Sequence, residues 1–247
     1  MKSQTTMYRP SKAGLANKLM QICQVNLVSS NIYDGGYGKY MKLTIPVQQD
    51  DGTLPSLDPP LTINPGLHYN ISEIMKPTEE AKTKIEEYRH LVDGVSFGLQ
   101  IRRGCMSECP DVSKWSAVHC DDTALAKFHQ IMEQNSGTVY LSSDCIKVKR
   151  DFAERYPGRV RYLDEEAAHS WSGMGIEDPW VTFTEFYLLS MCPVIFMTGG
   201  ARDMFTFSTF GYMAAMYGRK QYLPVFNDCE KSLSREDYLE ASNQKRV

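Results

Sequence analysis

Apolar and polar positions change period along this chain, and the change divides it. From Val95 onward, short alternating runs are separated by stretches with helical spacing. Val95, Phe97, Leu99 and Ile101 alternate with Ser96, Gly98 and Gln100, which predicts a strand. Asp121 or Asp122 is placed to cap a helix whose Leu125, Phe128 and Met132 share one face. Thr138 to Leu141 reads as a second strand. Val148, Phe152 and Tyr156 suit a following helix, stopped by Pro157-Gly158. Arg159 to Leu163 predicts a third strand, Thr182 to Ser190 a helix, Val194 to Met197 a fourth strand, and about Ser208 to Tyr217 a last helix. Strands alternating with helices argue for a parallel, doubly wound sheet.

Before residue 94 the pattern is different. A helical stretch, Leu15 to Val28, leads into the Gly- and Tyr-rich piece Tyr33 to Gly38 and a short strand, Met41 to Val47. The segment from Asp50 to Gly66 contains Pro55, Pro59, Pro60 and Pro65, which excludes regular structure there. A polar helix from about Glu79 to His90 ends at Asp93-Gly94. The expected organisation is therefore two domains, 1–93 and 94–247.

Composition narrows the function. The chain has 247 residues, 42% of them hydrophobic and 23% charged, an ordinary globular balance. A net charge of −3 disfavours a general nucleic-acid binder, because phosphate neutralisation needs a basic field. No run of apolar residues is long enough to span a bilayer, and the first six residues lack the apolar core of a signal peptide. Seven cysteines cannot all pair internally, so the expectation is reduced thiols in a cytoplasmic compartment.

Candidate chemistry collects where the predicted strands end. Strand 95–101 is followed by Arg102-Arg103-Gly104, strand 138–141 by Ser142-Ser143-Asp144, and strand 194–197 by Thr198-Gly199-Gly200. Ligands of open α/β sheets bind outside these carboxyl ends. Arginine there offers a permanently charged, bidentate fork to phosphate oxygens, although the same pair could form surface ion pairs. Thr206-Phe207-Ser208-Thr209-Phe210-Gly211 opens the last helix, where hydroxyls and free N–H groups form either an anion site or a plain Ser cap. Glu185, in the apolar stretch Trp180 to Met191, belongs on a solvent stripe or accepts from N–H donors of a base or ribose. Cys105, Cys109, His119 and Cys120 are metal-ligand types, but they lack CxxC spacing, and adjacent His119-Cys120 fits a tetrahedral site poorly. The expectation is no metal.

Taken together, these segments resemble the GDP-fucose-dependent fucosyltransferases. Gly14-Leu15-Ala16-Asn17-Lys18-Leu19 resembles the family's G-L-x-N-[QK]-[LM] element. Gln100-Ile101-Arg102-Arg103-Gly104 resembles H-x-R-R-x-D, and Val139 to Asp144 resembles a family strand ending in Asp. Glu185 to Ser190 and Thr206 to Thr209 resemble the last motif block. The chain departs from the pattern at Gln100 for His, at Cys105 for Asp and at Cys145 for a second acid.

The resemblance implies an α/β fold of GT-B type, two Rossmann-like halves facing a cleft, with the amino-terminal, acceptor-side half reduced. It implies an inverting, metal-independent transfer of L-fucose from GDP-fucose to a glycan acceptor. Arg102 would hold the β-phosphate and stabilise the leaving GDP, with Arg103 in support. Asp144 would shape the nucleotide pocket, Glu185 would meet the guanine, and Ser208 and Thr209, next to Phe207, would bind the diphosphate. Gln100 could hydrogen-bond the base, and Asn17 would face the cleft from the other half. The base for the acceptor hydroxyl would be Asp111 or, second, Glu108. The alternatives are a transferase for another nucleotide-sugar, or a non-catalytic nucleotide- or glycan-binding module of the same fold.

Overall fold

The computed structural model describes Leu19, Met41–Leu43 and residues 68–103, 119–165, 180–201 and 207–227. Two short strands, β1 (Met41–Leu43) and β2 (Met75–Pro77), pair antiparallel. Between them lies α1 (Ile71–Ile74), and after them α2 (Glu79–Tyr88), capped by the Thr78 hydroxyl, which accepts from Ala81 N–H. The rest is β3 (Phe97–Ile101), α3 (Asp122–Gln134), β4 (Val139–Ser143), α4 (Ile146–Arg155), β5 (Val160–Arg161), α5 (Trp180–Met191), β6 (Val194–Ala201), α6 (Thr209–Gly218) and β7 (Gln221–Asn227).

The five strands β3 to β7 form one parallel sheet in the order β5-β4-β3-β6-β7. The chain moves outward one way from β3 through β4 to β5, then returns to the other side of β3 for β6 and β7. That reversal makes the gap between β3 and β6 the topological switch point, where a crevice opens at the carboxyl ends of such sheets.

Side-chain alternation sorts the two faces. Phe97, Leu99 and Ile101 of β3 join Val139 and Leu141 of β4 against Phe128 and Met132 of α3 and Val148 and Phe152 of α4. On the opposite face, Tyr140, Ile195 and Met197 pack under α5 and α6. Helix α5 is apolar nearly all round because α2 covers its outer side, with Tyr88 stacked on Trp180 at 5.9 Å between ring centroids.

Most of the expected elements are present, with shifted ends. Asp121 is the cap of α3, its carboxylate accepting from Ala124 N–H at 2.8 Å. The strand expected over 159–163 is only Val160–Arg161, at the sheet edge. The strand expected over 95–101 begins only at Phe97, and two others run further than expected. Ser142 and Ser143 lie inside β4, and Thr198 to Gly200 lie inside β6 rather than beyond it. Strand β7 was not expected, because Pro224 in its middle cannot donate to a ladder. It pairs with β6 alone, so the proline costs no second ladder. Of the helix expected over Leu15 to Val28, only Leu19 is described, and it is helical and fully buried.

Candidate functional site

The site is built at the switch point from the residues just past β3. Strand pairing with β6 ends at Gln100 and Met197, so the backbone of Arg102 and Arg103 needs other partners. It finds them on both sides. Arg102 N–H donates to Thr198 Oγ1 at 2.9 Å, and Arg103 N–H donates to Asp144 Oδ1 at 2.8 Å. The Ser143 hydroxyl donates to the carbonyl of Ile101 at 2.7 Å, and Arg102 carbonyl accepts from Cys120 N–H at 2.6 Å. The two arginines are thus held between β4, β6 and the segment entering α3.

Their side chains part company. Gln100 faces α6, since a Cβ added at Gly211 would lie 3.2 Å from Gln100 Oε1, whereas Ile101 is buried among the residues under α3. Continuing the alternation puts Arg102 on the α6 side and Arg103 on the α3 side. The Arg103 guanidinium, only 19% exposed, donates to the Cys120 carbonyl at 2.9 Å and pairs with Asp122. It is thereby committed to the start of α3 rather than to the α6 side. The Arg102 guanidinium is half-buried and has no hydrogen-bond or ion-pair partner among the described residues.

Across the gap stands the start of α6. Ser208 occupies the N-cap position but its hydroxyl makes no cap bond; the residue is 1% exposed and the hydroxyl has no partner among the described residues. The plain Ser-cap reading is therefore set aside. Thr209 is the first helical residue, and the amides of Thr209, Phe210 and Gly211 have no acceptor within the helix. Phe207 turns into an aromatic cluster with Tyr212 and Tyr222, at 5.3 and 5.8 Å between centroids, and seats the helix start. Gln100 Oε1 is a further buried acceptor without a partner among the described residues.

Glu185 is neither on a solvent stripe nor free. It is 2% exposed, accepts from the Ser142 hydroxyl at 2.9 Å, and its Oε1 lies 2.5 Å from Lys149 Nζ. That contact is an ion pair more than an aligned hydrogen bond. The Lys149 ammonium also donates to the carbonyls of Leu163 at 3.1 Å and Glu165 at 2.9 Å. Burial pushes the Glu185 carboxyl above the usual carboxylate range, while Lys149 and Ser142 pull it back. Lys149, with no signal beyond its helical register, was missed by sequence reasoning, whereas Thr198 was noted at a strand end without a role.

Asn17, Glu108, Asp111, Cys105 and Cys109 lie outside the described residues. Among the described residues, no group of three or more His, Cys, Asp or Glu side chains is arranged to hold a metal ion. Cys120 is fully buried, with its thiol pushed up to about 12 by burial, so it stays protonated. No helix among the described residues is long and apolar enough to cross a membrane.

Thr198 brings the Arg102 backbone and the α6 start together, its hydroxyl accepting from Arg102 N–H and its carbonyl from Ser208 N–H; a guanidinium without a partner among the described residues and the positive end of a helix on neighbouring backbone suit a group on which negative charge accumulates. No protein-family model matches the sequence, and no curated protein does. Solved structures do match. A NodZ alpha-1,6-fucosyltransferase soaked with GDP-fucose superposes with a TM-score of 0.57 at 14% identity, over 85% of this chain and 91% of that one. The same enzyme co-crystallized with GDP gives 0.51 at 14% identity, over 84% and 90%. Fucosyltransferase NodZ from Bradyrhizobium gives 0.51 at 14% identity, over 84% and 91%. The chain has the fold of a GDP-fucose fucosyltransferase.

Proposed function

We propose that this protein is an inverting glycosyltransferase that moves L-fucose from GDP-fucose to a hydroxyl of a glycan acceptor. The observation that carries the proposal is Arg102 at the switch point of the sheet, a guanidinium without a partner among the described residues on a backbone tied through Thr198 to the start of α6. As the bond from C1 of the sugar to the β-phosphate oxygen breaks, the sugar becomes cation-like and negative charge grows on GDP. Arg102 and the amides of Thr209 to Gly211 stabilise that charge from fixed positions. The acceptor oxygen attacks from the opposite side of the ring and gives its proton to a carboxylate, assigned to Asp111 with Glu108 as second choice. The residues before 94, with Asn17, supply the acceptor-side half of a GT-B cleft in this proposal.

In this proposal Arg103 supports Arg102 through the backbone, its own guanidinium holding the start of α3. Asp144 acts likewise, by anchoring Arg103 N–H. Glu185, already engaged by Lys149 and Ser142, favours a second reading, in which the base of the donor is selected by other groups or is not guanine.

Calorimetric titration with GDP, UDP and ADP in the presence of EDTA tests both readings. GDP should bind with a Kd on the order of micromolar. Arg102→Ala should weaken it at least ~10-fold, the scale of a lost charge-assisted contact. Unchanged affinity in that variant removes the proposal, and tighter binding of UDP or ADP replaces GDP with another donor. Turnover of the sugar on an acceptor panel separates an enzyme from a binding module.

A further inference from the structure

Thr198 touches both halves of the proposed diphosphate cradle. Its side chain is fully buried. The hydroxyl oxygen accepts from Arg102 N–H at 2.9 Å while its own proton points to the Gln100 carbonyl at 3.3 Å. Its carbonyl accepts from Ser208 N–H at 2.7 Å. One residue therefore spans the switch point, carrying the guanidinium strand on its side chain and the helix start on its backbone.

The surroundings make this link hard to replace. Strand register between β3 and β6 has ended two residues before Arg102, so no ladder bond fixes its amide. Immediately after Thr198 the pairing of β6 with β7 shifts register, and Gly200 takes the left-handed region at φ 70°. The bulge re-aims β6 as it leaves the sheet. The hydroxyl holds the strand end in place across that irregularity.

We infer that Thr198 is a positioning residue that sets the separation of Arg102 from the α6 N-terminus and so tunes how the site grips a nucleoside diphosphate. This rests on the reading of the site given above. Thr198→Val keeps the shape and the carbonyl but removes the hydroxyl, and Thr198→Ser keeps the hydroxyl. GDP calorimetry on the full chain should show about tenfold weaker binding for Thr198→Val, one lost hydrogen bond's worth of alignment, and recovery in Thr198→Ser. Amide exchange on the same nucleotide-free proteins should be faster at Arg102 in Thr198→Val and normal in Thr198→Ser, with α3 and α4 protection unchanged. A folded Thr198→Val that binds GDP as the native chain does overturns the inference. If the native chain itself fails to bind GDP, the functional reading falls, and exchange at Arg102 decides alone: a native rate in Thr198→Val overturns the positioning role. Should Thr198→Val not fold, Thr198→Ala is read by the same two measurements.

Discussion

Two adjacent arginines illustrate what a residue's place on a strand does to it. Arg102 and Arg103 carry the same charge, yet the guanidinium of one has no partner among the described residues and that of the other clamps Cys120 and Asp122. A histidine packed against the first turn of α6 shows the same dependence on context. His68 is fully buried, with Nδ1 2.7 Å from the Tyr212 hydroxyl and Nε2 without a partner among the described residues. Burial lowers its pKa to about 4, so the folded protein holds it neutral. The unfolded chain protonates it near 6.5. Between those values the unfolded state binds more protons, so stability is complete above the higher one and falls as pH drops toward the lower. The full loss is roughly 3 kcal/mol. Urea midpoints measured from pH 7 to 4 should decline across that window, and His68→Phe should flatten the decline attributable to this group.

At the scale of elements, the close approach of α5 to α6 and to the sheet depends on glycine. A Cβ on Gly218, the last residue of α6, would lie 1.9 Å from the Ser190 carbonyl oxygen near the end of α5. Backbone cannot yield as a side-chain tip does. Gly218→Ala should therefore cost at or above the upper end of the ~1–3 kcal/mol typical of overpacking, read as a lower urea midpoint with unchanged slope. Gly98 is milder: its Cβ would meet Leu189 Cδ1 at 2.9 Å and Cys192 Sγ at 3.0 Å, both side-chain atoms. Most helices and strands were readable because their periodicity reports one buried face. The boundaries at Ser142 and Thr198 were not, since polar residues at a strand end look like loop until their hydrogen bonds are known. Strand β7 was obscured by Pro224, and only its place at the edge of the sheet explains the tolerance.

Across the whole molecule, the Lys149–Glu185 pair joins the two helical layers. Lys149 sits on α4 and Glu185 on α5, on opposite faces of the sheet, and they meet beside Ser142 of β4 and the Leu163 and Glu165 carbonyls that follow the two-residue strand β5. Removing the ammonium alone strands a carboxylate in the core. Lys149→Met should cost about 3–5 kcal/mol, and Lys149→Met with Glu185→Met should recover much of it, because the desolvated charge is gone. Chemical denaturation of the single and double variants measures this; equal losses would deny the pair its structural role. The sequence by itself determined the α/β class, the strand–helix order after Val95 and the position of Arg102 at a strand end, because these follow from local periodicity. It also carried the motifs whose resemblance pointed to this fold. Tertiary structure alone decided that Arg103 engages the start of α3, that Glu185 meets Lys149, and that Thr198 links β3 to α6. Those contacts join residues up to about a hundred positions apart, and no local pattern of polarity encodes which distant partner closes a buried hydrogen bond.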